Sequence, residues 1–162
     1  MRSIVRGGNE MNKSDLMHHY KEFNNWLLHL KQVTDERWHS PIAEGKWSIG
    51  AIIAHLLLWD EYSLKERFPL MKEGNELTPF PDYQSVNDQA IELANVISKE
   101  ELIDKLVEVR TSEFIQRLEM ADDVYLNTTF SIGKHQLSIK DYFHDFAEHD
   151  LHHKKQIDSI LN

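Results

Sequence analysis

The 162-residue chain contains no cysteine. Disulfides, thiolate metal ligands and a protein-borne thiol nucleophile are therefore excluded. It has no apolar run near the ~18 residues that a membrane-spanning helix requires. Met1 to Glu10 lack the apolar core of a signal peptide. Basic residues are in deficit: 18 Lys and Arg stand against 27 Asp and Glu, for a net charge of -9. Such an acidic chain offers no general phosphate-binding surface, so neither nucleic acid nor a membrane is an expected partner. These absences suit a cytoplasmic protein. Only four prolines and six glycines interrupt the chain, which leaves room for long helices.

What is present is a core. Apolar residues make up 41%, with four Trp, seven Phe and five Tyr, as in an ordinary globular domain. The length suits one domain, read as residues 14–162 after a disordered lead-in over 1–13, with Met11 as a candidate natural start. Ser14 is the expected cap of a first helix over 14–35, whose seam is Leu16, Tyr20, Phe23, Leu27 and Leu30. Ser48 caps a second, with Ile52, Leu56 and Trp59 on its buried face, ended or bent by Pro69. Gly74, Asn75, Pro79 and Pro81 mark a loop, and a short helix covers 85–97. Ser98 and Glu101 form a capping box for a third long helix over 99–119. Val124 to Leu137 favours an extended hairpin around Gly133-Lys134. The last helix covers 139–161. The sum is an all-α four-helix bundle, with a crossover of about 30 residues between the second and third long helices.

The chain has ten histidines, so position must separate them. On the last helix, at about 100° per residue, Ile139, Tyr142, Phe146, Ile157 and Ile160 mark the buried face. His153 lies inside that arc and His149 at its edge, four residues apart and one above the other. His144 points the opposite way and His152 lies well off the face. On the first helix His18, His19 and His29 fall outside the seam and are expected in solvent. A single histidine on an apolar face is ordinarily a hydrogen-bonded core residue. Two at this spacing are different: burying both costs several kcal/mol unless each finds a partner, and one metal ion satisfies both. A catalytic site usually has three protein ligands and an open position. His55, beside Trp59 on the second long helix, is the best third.

The segments Trp47-Ser48-Ile49-Gly50-Ala51-Ile52-Ile53-Ala54-His55-Leu56 and His149-Asp150-Leu151-His152-His153-Lys154-Lys155-Gln156-Ile157 resemble the DinB/YfiT-like superfamily. That family carries W-S-x-x-E-x-x-x-H-L early and H-E-x-H-H-R-x-Q-I late. Ala51 stands where the family often has Glu, Asp150 where Glu is commoner, and Lys154-Lys155 where it has Arg-Gly. The resemblance implies a DinB-like bundle, a homodimer, and one divalent metal ion (nickel, zinc, iron or manganese) held by His55, His149 and His153. It also implies a small-molecule substrate. The first expectation for function is metal-dependent S-transfer of a low-molecular-weight thiol to an electrophile. The second is hydrolysis by a metal-bound hydroxide, with Asp150, Glu148 or Asp60 as base. The third is a non-catalytic metal-binding bundle. Trp59, Tyr142 and Phe146 are the candidate substrate contacts. The echo of the H-E-x-x-H protease motif is set aside, because Asp is shorter than Glu and little chain follows to build a cleft.

Overall fold

Asn12 opens the first helix, α1 (Lys13–His29). Its side chain accepts the Asp15 N–H while Asp15 accepts the Asn12 N–H, a reciprocal box that satisfies two otherwise orphaned donors. The expected cap, Ser14, is therefore displaced by two residues, because only Asn12 has an acid three positions on. The computed structural model describes residues 11–79 and 82–162; the first ten residues of the lead-in expected over 1–13, and the breaker Pro81, lie outside them. The expected first helix divides at Val33, giving a short 3-10 turn and then α2 (Asp35–His39).

Helix α3 (Ile49–Tyr62), capped by Ser48, is buried on nearly every side, as expected of a helix apolar all round. Gly50 makes one approach possible: a Cβ there would stand 2.6 Å from Trp38 Nε1. After α3 come a π turn (Ser63–Arg67), a 3-10 turn over Phe68–Leu70 carrying Pro69, and β1 (Glu76–Leu77). Next are α4 (Tyr83–Val96) and α5 (Lys99–Val109). Helix α5 runs through a second π turn (Arg110–Ile115) into α6 (Gln116–Met120). The π turn accounts for an irregular seam: Leu102, Leu106, Val109, Phe114 and Leu118 include one step of five. The chain closes with α7 (Asp123–Leu126), the hairpin β2 (Thr129–Ile132) and β3 (His135–Ser138), and α8 (Ile139–Leu161). Strand β1 pairs parallel to β2, and Gly133 takes φ +59° at the hairpin turn. Ser138 and Asp141 form the capping box of α8.

The four long helical segments are α1, α3, α5 with its continuation α6, and α8: an all-α four-helix bundle, with the small sheet as an accessory. A polar knot lies among them. Arg110 bonds Asp60 of α3 through Nε (2.5 Å) and Nη2 (3.1 Å), and Asp150 of α8 through Nη1 (2.6 Å) and Nη2 (2.9 Å). His19 of α1 lies 3.0 Å from the same Asp150. The Arg110 guanidinium also sits over the rings of Tyr20, Phe23 and Phe114. His19 is thus buried, contrary to the solvated position expected for it. His144 is buried too, because Met11 covers it and donates its N–H to His144 Nδ1 at 3.5 Å.

Removing one partner of a buried ion network leaves uncompensated charge. Arg110→Ala should lower the unfolding free energy by about 3–5 kcal/mol, read by urea denaturation. Adding Asp60→Asn should recover part of that loss, because one stranded carboxylate is neutralised.

Candidate metal centre

His55 comes from α3, and His149 and His153 come from successive turns of α8. Each offers one ring nitrogen, and the three nitrogens lie within 4.8 Å of one another. His149 Nε2 is 3.1 Å from His153 Nε2 and 3.5 Å from His55 Nε2. Three nitrogens held at about 2.0–2.1 Å by one tetrahedral ion stand about 3.3–3.4 Å apart. The two separations from His149 lie on either side of that value, and three imidazoles are a donor set that a divalent ion takes.

The electrostatics agree. Burial, then the neighbouring His153, pushes His55 down to about 3. Burial, then His153 and His55, pushes His149 down to about 2. Burial also lowers His153. At neutral pH all three are neutral imidazoles, the form that gives a lone pair to a metal.

Two amides stand behind the ring nitrogens. His153 Nδ1 is 2.8 Å from Gln156 Oε1, one turn along α8. Asn87 of α4 interacts with His55, and His55 Nδ1 and Asn87 Oδ1 are both buried without another hydrogen-bond partner. Trp47 lies against His55 with ring centroids 5.2 Å apart. None of these three residues was among the expected site residues. Gln156 had a signal, three positions after His153 on the same helix. Trp47 had one too, as the first residue of the segment that ends in His55-Leu56, whereas Asn87 had none, because its contact crosses between elements.

The remaining candidates are placed differently. The Asp150 carboxylate is taken up by Arg110 and His19. Burial would raise its pKa, but Arg110 and the His19 hydrogen bond outweigh that and hold it at about 2. It is a poor base as placed. Asp60 is raised to about 6, by burial that Arg110 only partly offsets. Glu148 is exposed and within 3.5 Å of His144. Trp59 sits beside His55, with centroids 6.2 Å apart. Tyr142, bonded to Ser63 Oγ at 2.7 Å, and Phe146 belong to the aromatic core. All three aromatics are at most 1% exposed, so as placed they pack the core and line no open surface.

A family model described as the DinB superfamily matches residues 18–157. Among solved structures, the fold is similar to one described as "YfiT from Bacillus subtilis is a probable metal-dependent hydrolase with an unusual four-helix bundle topology". The TM-score is 0.79 at 15% identity, covering 96% of this chain and 91% of that one. An uncharacterized protein from Clostridium difficile 630 matches with a TM-score of 0.62 at 15% identity, over 93% and 98%. No curated protein matches. Among the described residues, no helix is long and apolar enough to cross a membrane.

The lowered histidines set a pH dependence. Below about 6.5 the unfolded chain protonates these imidazoles while the metal-free fold keeps them neutral. The unfolded state then binds more protons, so stability falls as pH falls. Asp60, being raised, works in the opposite sense, equally in wild type and variant. In chelator-treated protein, His149→Gln should shrink the stability lost between pH 7 and 5 by roughly 1–2 kcal/mol, measured by urea denaturation at each pH.

Proposed function

The chain belongs to the DinB superfamily, and from that membership and the three converging histidines we propose a metal-dependent enzyme acting on a small molecule. His55, His149 and His153 hold one divalent ion. The observation that carries this reading is the convergence of three neutral imidazole nitrogens within 4.8 Å, from two helices, in a buried setting. A divalent ion in such a site acidifies a bound water or thiol and polarises a carbonyl.

The protein's own contribution is positional. Two helices fix the three nitrogens, burial keeps them unprotonated, and the Arg110 knot fixes the two helices. Hydrolysis is the reading that the likeness to YfiT supports. Thiol transfer is the second reading, and the committed carboxylates favour it. With Asp60 and Asp150 both engaged by Arg110, neither is a free base. A thiol gives up its proton near pH 8.5 even when free, so one bound to the ion becomes a thiolate without a protein base. The absence of cysteine means such a thiol would come from outside, as a low-molecular-weight cosubstrate. A homodimer in the cytoplasm completes the proposal, its assembly readable by light scattering.

Elemental analysis of purified protein should find about one divalent ion per chain, and His153→Ala should abolish it. Metal-dependent turnover of activated esters supports hydrolysis; metal-dependent loss of thiol with monochlorobimane supports transfer. Unchanged metal content in His153→Ala would refute the site.

A further inference from the structure

We propose that Asn87 and Gln156 are positioning residues of the metal centre, and that the uncharged shell they form makes the site select an anionic ligand. This rests on the metal reading above. The amide oxygen of Gln156 only accepts a hydrogen bond. At 2.8 Å from His153 Nδ1, it holds the proton on that nitrogen and leaves the Nε2 lone pair facing His149. Were the amide turned over, its NH2 would donate to Nδ1, and a proton on Nε2 would point into the cluster. Asn87, from another helix, interacts with His55. Its Oδ1 and His55 Nδ1 are buried and otherwise unbonded. An unpaired buried donor or acceptor costs about 1–3 kcal/mol, so closing this pair favours the Nδ1–H tautomer of His55, again with Nε2 free.

Ligand imidazoles are commonly backed by carboxylates, which add negative charge to a metal site. Among the described residues, no carboxylate hydrogen-bonds to any of these three imidazoles. Asp150, next in sequence to His149, is turned to Arg110 and His19. A divalent ion with three neutral imidazoles would therefore keep nearly its whole charge in a buried setting, where charge interactions are strong. An anion in the open position neutralises part of it. The favoured ligand or cosubstrate is thus a small anion such as a thiolate or carboxylate.

Cobalt(II) and azide serve as probes, read by visible absorption, with cobalt affinity measured by competition against a chromogenic chelator. Both amides are half-buried, so truncation leaves no core cavity, and Gln156→Glu changes charge with little change in shape. Gln156→Ala and Asn87→Ala should each weaken cobalt binding about 10–100-fold. Gln156→Glu should hold cobalt at least as tightly as wild type while binding azide about tenfold more weakly. Nitrogen-15 spectra of the metal-free protein should show Nδ1–H tautomers at His55 and His153. Cobalt binding unchanged in both alanine variants, Nε2–H tautomers, or equal azide affinity in Gln156→Glu would overturn the proposal. If the wild type takes up no cobalt, the metal reading itself fails and anion selection falls with it. If it takes up cobalt and the variants match it, only the positioning role fails.

Discussion

One buried guanidinium organises this bundle. Arg110 reaches α3 through Asp60 and α8 through Asp150, and Asp150 in turn binds His19 of α1. Arg110 itself starts the π turn that continues α5. Every long helical segment therefore contributes to one hydrogen-bonded knot. Such a network is costly to bury and is tolerated only when its geometry is fully satisfied. Here both carboxylates are bridged by the guanidinium fork, and three aromatic rings cover it. The helices cannot slide or rotate without breaking charge-assisted bonds.

The candidate metal centre depends on that restraint. His55 lies on the same helix as Asp60, and His149 is adjacent to Asp150. The α3–α8 registry that satisfies Arg110 is the registry that brings the imidazoles together. Charge is also partitioned. The knot holds the interior's anions and its guanidinium, while the histidine cluster remains neutral. Two adjacent polar clusters thus do different work: one fixes the helices, and the other presents lone pairs.

Much of this was legible in the sequence, for physical reasons. Seam periodicity and capping residues located the long helices, because both follow from local geometry. His149 and His153 were legible because one helix carries both. The knot left a signal too. Arg110 follows Leu102 and Leu106 at spacings of four, Asp60 follows Leu56, and Asp150 follows Phe146. Each is a polar residue on an apolar seam, which signals a buried partner. The π turns, the burial of His144 under Met11, and the meeting of Asn87 with His55 depend on tertiary packing, for which spacing carries no information. The burial of Trp59, Tyr142 and Phe146 was legible for a related reason: seam periodicity reports burial, although it does not distinguish a core ring from a pocket wall.

The central claim is that three imidazoles from two helices hold one ion. X-ray absorption at the edge of the co-purified or reconstituted metal tests it most directly. The account predicts a first shell containing three imidazole nitrogens at about 2.0–2.1 Å, with one imidazole lost in each of His55→Ala, His149→Ala and His153→Ala. A shell of oxygen donors without imidazole scattering, or one unchanged by those substitutions, would contradict it.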